Sequence, residues 1–207
     1  MIKNCYINAI GGYKMKILKR TLLTLSAAML LFTAVGCKKD KVSSSNAKDP
    51  SIGANEIKVE MSQEADANDT VFSLNSVIDA GAQTEEGEHY IYLDVTIKNN
   101  SDTAYSLSTL NNFYLIMPDK TEVYGHIRTQ LYATSNFNDK YFGSPFDIPA
   151  NGEFRGVIGG FVLPEGQKNF TVGFFPTKEV DTNKYDVIKI EVDSSKIVTV
   201  PSDLLKS

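Results

Sequence analysis

The chain predicts an all-β fold, an antiparallel β-sandwich set behind an export signal and a flexible tether. Three observations carry this. Apolar and polar residues alternate with period two through most of the chain after residue 55, turn residues recur every ten or so positions, and no long 3.6-residue apolar period occurs outside the N-terminal apolar run.

The N-terminus comes first. Lys14, Lys16, Lys19 and Arg20 form a basic stub, the apolar run TLLTLSAAMLLFTAV follows, and the small residues Ala34, Val35 and Gly36 lead to Cys37. That order marks a secretory signal rather than a fold element. The run from Thr21 to Val35 is 15 residues long, whereas a helix spanning the hydrocarbon needs roughly 20. A transmembrane anchor is therefore the weaker reading, as is plain signal cleavage leaving a free thiol. The segment resembles the lipobox signal peptides, in which a Cys sulfur is alkylated by diacylglycerol before the bond ahead of it is cut. Carried over, the scissile bond is Gly36–Cys37 and Cys37 bears the lipid. The chain departs from the usual pattern at Ala34, where that family has Leu. Met15 is a better start than Met1, because MKILKR is already a complete basic stub.

Residues 37–55 then read as the lipidated Cys and a tether rich in Ser, Lys, Asp and Asn with no apolar period. As a coil it spans about 20–25 Å. Two acyl chains on one Cys anchor stably, which one chain alone does not.

Residues 56–207 read as a single domain. Ile57, Val59 and Met61 alternate with charged neighbours, and Phe72 and Leu74 alternate with Val71, Ser73 and Asn75. The clearest strand is HYIYLDVTIKN, where Ile91, Leu93, Val95 and Ile97 face one way and Tyr90, Tyr92, Asp94, Thr96 and Lys98 face a wet side. Further strands are predicted at Phe113–Met117, Val123–Gln130, Phe154–Leu163, Phe170–Phe175, Asp186–Val192 and Ile197–Val200, separated by NNSD, PDK, PANGE and PEGQ turns. Gly156, Gly159 and Gly160 in GVIGG predict a bulge or a close backbone crossing. The sandwich is immunoglobulin-like in topology only: the chain has no Trp, and Cys37 is the sole Cys after the signal.

The segments YIYLDVTIKNNSDTAYSL, FYLIMPDKTEVY, IPANGEFRGVIGGFVLPEG and NFTVGFF together resemble a known family. They are similar to the immunoglobulin-like domains of unknown function in lipoproteins of Gram-positive bacteria, related to a small secreted mycobacterial antigen. The resemblance covers roughly residues 70–195. It implies the sandwich, an extracytoplasmic location at the cell membrane, and a binding or envelope-associated role rather than catalysis.

Charge narrows the partners. After the first 36 residues, 16 bases face 25 acids, and after residue 49 the count is 12 against 23. Such a domain is a poor partner for nucleic acid.

No catalytic residue, cofactor or metal is expected. His89 and His126 form no ligand pair, and the spacings that hold zinc are absent. Ser144 in FGSPF stands outside any GxSxG elbow. Glu85, Glu86 and Glu88 lie in one polar turn, not on opposite sides of a scissile bond. Oxygen donors gather at Asp66, Asn68, Asp69 and Thr70 and at Asn99, Asn100 and Asp102, but an EF-hand would need a Gly and a bidentate Glu that are missing.

The aromatic stretch LYATSNFNDKYFGSPFDIP, residues 131–149, is long for a loop without structure of its own. Its rings either plug an open end of the sandwich or form a contact surface. On the surface reading Tyr141 and Phe142 are the contact rings, with Asn136, Asn138 and Asp139 as polar contacts. The expected function is a non-catalytic, membrane-anchored module that binds an envelope protein or glycan. The alternatives are a small-molecule or ion-binding accessory lipoprotein serving a transporter and, more remotely, a hydrolase.

Overall fold

In the computed structural model, residues 55–176 and 186–207 are described. The predicted signal peptide, Cys37 and the tether as far as residue 54 lie outside them, while Asn55 already belongs to the first strand.

Period-two alternation delivers two facing sheets. The first orders β1 (Asn55–Val59), β11 (Asp186–Val192), β10 (Phe170–Phe174), β6 (Phe113–Ile116) and β7 (Glu122–Tyr124). The second orders β12 (Ile197–Thr199), β3 (Thr70–Ala82), β4 (His89–Asn99) and β9 (Glu153–Leu163), with β2 (Ala65–Ala67) paired to β3. A small ladder joins β5 (Tyr105–Leu107) to β8 (Phe146–Ile148). Phe72, Leu74, Leu93, Val95, Ile97 and Ile158 from the second sheet meet Phe113, Leu115, Val172, Phe174 and Ile190 from the first. At the centre Phe174 packs 4.5 Å from Phe72 and 4.6 Å from Phe113, ring centre to ring centre.

The sandwich is not wholly antiparallel. β1 runs parallel to β11, and β12 runs parallel to β3. Both are short strands that leave or enter by crossing between the sheets: β1 leads over to β2 and β3, and β11 leads through the 3-10 turn Ser194–Lys196 to β12. No hairpin joins either strand to its neighbour, so nothing forces the antiparallel sense.

The segment after β7 also departs from expectation. The predicted strand Val123–Gln130 stops at Tyr124, and Ile127–Asn136 form the helix α2. A four-residue helix α1, Thr109–Asn112, opens under a Ser108 cap whose hydroxyl accepts from the Leu110 N–H. What buries α2 is small: Thr129 and Ala133 are its buried residues. It lies on the outer face of the second sheet, where Ile78, Tyr90, Tyr92 and Val157 gather with Ala133, Phe137 and Leu204 into a second apolar cluster. The face of β4 predicted to be wet is therefore dry at Tyr90 and Tyr92. Residues 131–149 are accordingly not one loop but the end of α2, a link to the edge of β9, and β8.

The GVIGG segment does carry a bulge. Tyr92 pairs with Gly159 and Ile91 with Phe161, leaving Gly160 extra. A Cβ on Gly160 would collide with the Ile91 carbonyl oxygen, so only Gly fits where α2 approaches. There the Gly160 N–H donates to the Thr129 hydroxyl at 3.1 Å, and its carbonyl accepts from the His126 N–H at 2.9 Å.

Candidate functional site

The aromatic segment closes over the second sheet. Phe137 and Phe146 are buried, and Tyr132 and Tyr141 are half-buried. Tyr141 sits edge-on to Tyr92 and to Phe137, and its hydroxyl donates to the Gly159 carbonyl at 2.8 Å. Burial pushes both phenols, Tyr92 and Tyr141, far above the ordinary tyrosine value. Neither can act as a phenolate near neutrality. Phe142 lies across Gly156 and edge-on to Phe154, 4.8 Å away, and is 37% exposed. The backbone of residues 140–142 pairs with Val157 at the edge of β9: Phe142 N–H to Val157 O and Val157 N–H to Lys140 O are each 2.8 Å. This stretch therefore covers a sheet edge that would otherwise offer a template for aggregation.

The polar residues nominated beside the rings serve mainly as fastenings. Asn138 donates its side-chain amide to Asp203 O at 2.8 Å, and its N–H bonds Leu204 O at 2.9 Å. The Asn136 side chain bonds back to Tyr132 O at 2.8 Å, and its carbonyl accepts from the Lys206 N–H. Lys140 pairs with Asp203 and holds that carboxyl below its usual range. Asp139 is exposed. Together these bonds strap residues 203–206 onto the second sheet.

The other candidates are also occupied. The Ser144 hydroxyl accepts from the Thr109 N–H at 3.0 Å and lies 3.0 Å from the Ser108 hydroxyl. His126 caps α2 by accepting from the Arg128 N–H at 3.1 Å. His89 Nδ1 contacts the Asp79 carboxylate at 2.8 Å, and a second Asp79 contact goes to the Gly81 N–H. Glu88 pairs with Arg128 at 3.3 Å, whereas Glu85 and Glu86 are exposed.

The two oxygen-rich turns do come together, since Thr70 pairs with Asn99 and Asn100 N–H bonds Asp69 O. Geometry accounts for both without an ion. Asn68 and Asp69 take the left-handed conformation that a two-residue hairpin between β2 and β3 demands. Asn99, 1% exposed, spends its amide on Thr103 O at 2.8 Å and Pro149 O at 3.1 Å. Its side-chain oxygen accepts from the Ser101 N–H and hydroxyl. Among the described residues no cluster of three or more His, Cys, Asp or Glu is placed to hold a metal.

What the sequence did not expose is an apolar surface beside α2. Ile127 and Leu131, four residues apart on one helical face, are 61% and 63% exposed. Leu110, 47% exposed, reaches to within contact of Gly125, two residues before Ile127. The chain two residues beyond Phe142 reaches the helix, where the Ser144 N–H donates to the Gln130 side-chain oxygen at 3.4 Å. The i, i+4 pair is visible in IRTQL, but nothing in the sequence says which way it faces.

A cavity of about 580 Å³ on the outer face of the first sheet is lined by Glu56, Lys58, Lys120, Lys189, Glu191 and Lys196. Its cations and anions partly satisfy one another, with Lys189 Nζ 2.7 Å from Glu56. A second cavity lies on the opposite sheet, under residues 201–204.

The model of a domain of unknown function, DUF4352, matches residues 59–186. Similar solved structures include ycdA of Bacillus subtilis, a proposed lipoprotein, at 13% identity and TM-score 0.46, covering 64% of this chain and 39% of that one. The yjhA protein of Bacillus subtilis is 16% identical with TM-score 0.45, covering 63% and 98%. A functionally unknown protein of Listeria monocytogenes is 16% identical with TM-score 0.43, covering 64% and 81%. The chain thus spans about two-fifths of ycdA. No curated protein matches it.

Proposed function

The chain belongs to the family of the domain of unknown function DUF4352, and from that starting point we propose that it is a lipid-anchored, extracytoplasmic module that binds a protein partner and performs no chemistry itself. The relation to a secreted mycobacterial antigen is part of this proposal. The anchor reading rests on the basic stub, the 15-residue apolar run and Cys37. Among the described residues no helix is long and apolar enough to cross a membrane.

One observation carries the binding role: α2 turns Thr129 and Ala133 inward and its two large aliphatics outward. Exposing both forgoes on the order of 2 kcal/mol of burial for each, a cost that a covering partner removes. Leu110, which reaches Gly125 just ahead of Ile127, extends the surface, and the exposed Phe142, Asn136 and Asp139 are proposed as further contacts. The excess of acid over base in the domain disfavours anionic headgroups as its occupant and favours a protein with a complementary apolar patch.

The test is a pull-down from detergent-solubilised envelope with the intact chain and an Ile127→Asp, Leu131→Gln variant. The variant is expected to fold normally, because both side chains are mostly exposed and an acid in the first turn suits the helix dipole. It is expected to lose the partner that the parent captures. Equal capture by both would remove α2 from the contact.

A further inference from the structure

We propose that the cavity under residues 201–204 is a binding site for a small zwitterion with an apolar side chain, of the α-amino acid class. This goes beyond the protein-binding role and stands or falls independently of it. The cavity has a volume of about 380 Å³, within the range of small-molecule sites, about 300–1,000 Å³.

Its lining is ordered by the strand register. Ser76, Asp94 and Val157 pair across β3, β4 and β9 and form one row on the outer face. Two residues along in one direction lies Ile78, and two along in the other lies Arg155, the neighbour of Thr96. Side chains two apart share a face. The floor therefore runs from Arg155 at one end, through the row in which Asp94 sits beside Val157, to Ile78 at the other. Leu204 and Pro201 wall the cavity, and both belong to the segment strapped down by Asn138 and Lys140.

Arg155 and Asp94 are set for two opposite charges. Arg155 is exposed, and its side chain makes no ion pair or hydrogen bond with another of the described residues. Asp94 accepts from the Asn75 amide at 3.2 Å through one oxygen, leaving the other for a donor. The two line the same cavity on adjacent strands and are not paired with each other. A lone carboxylate on Arg155 would meet Asp94, and a lone ammonium on Asp94 would meet Arg155. A zwitterion satisfies both, with the carboxylate on the guanidinium fork and the ammonium on Asp94. Its side chain then lies toward Val157, Ile78 and Leu204. Lys140 also lines the cavity, but its ammonium is held by Asp203.

The experiment titrates the full chain in detergent solution with L-leucine, N-acetyl-L-leucine and L-leucinamide, read by calorimetry and by the amide shifts of Gly156 and Leu204. L-leucine is expected to bind saturably, and each half-charged analogue about tenfold or more weakly, the effect of losing one charged hydrogen-bonding partner. Arg155→Gln is expected to weaken leucine binding by a similar factor while leaving the melting temperature unchanged, since the side chain is exposed. The proposal is overturned by absence of saturable leucine binding, by equal binding of all three compounds, or by an Arg155→Gln variant that binds leucine as the parent does.

Discussion

Phe174→Ala is expected to lower the unfolding free energy by about 3–5 kcal/mol, the usual cost of removing a buried aromatic ring and leaving its space unfilled. Phe174 is fully buried, and it is the ring that Phe72 of one sheet and Phe113 of the other both touch. The cavity would open between the sheets, where neither backbone can collapse without breaking its ladder. For a domain of this size the melting temperature should fall by about 10 °C, measured by circular dichroism or calorimetry. A drop of only a degree or two would mean that the sheets do not meet at this ring.

Asn99→Ala should have the next largest effect, about 2–4 kcal/mol. One buried side chain joins the end of β4 to two turns, through Thr103 O, Pro149 O and Ser101. Its removal leaves two carbonyls and an N–H facing a space too closed for easy hydration. The same melting experiment separates this scaffold role from a calcium site. Added calcium should leave the melting temperature of the parent unchanged, because the Asn99 oxygen is already taken by Ser101. A calcium-dependent rise in the parent would assign the Asn68–Asp69 and Asn99–Asp102 turns to an ion instead.

Legibility in the sequence followed how much of each element was governed by local pattern. β4 and β9 read clearly, since Ile91, Leu93, Val95 and Ile97 must alternate to reach the core. The Gly160 bulge was legible because three glycines in five residues serve little else. α2 was not legible: its inward residues are Thr129 and Ala133, its outward ones Ile127 and Leu131, which reverses the pattern that marks a core-facing helix. That reversal follows from the Gly159–Gly160 backbone, where only small side chains fit beneath the helix. The parallel edge pairings of β1 and β12 were hidden for another reason. Alternation marks a strand but carries no information about its neighbour's direction when no hairpin links them.

The candidate site divided along the same line. Tyr141, Asn136 and Asn138 were visible as an unusual cluster, yet the bonds of Tyr141 to Gly159 and of Asn138 to Asp203 depend on segments further along the chain. Arg155 and Asp94 are 61 positions apart in sequence and meet only through the β4–β9 register. Neither is conspicuous in its own stretch.

The central claim is that this sandwich works from the outer face of a membrane, held by a lipid on Cys37. The direct measurement is the intact mass of the chain purified from its native envelope, beside a Cys37→Ser variant. The account predicts a mature chain beginning at Cys37 and carrying acyl mass, with the variant lacking that mass and lost from the membrane fraction. A mature chain that begins elsewhere, or that begins at Cys37 with no lipid, would contradict it.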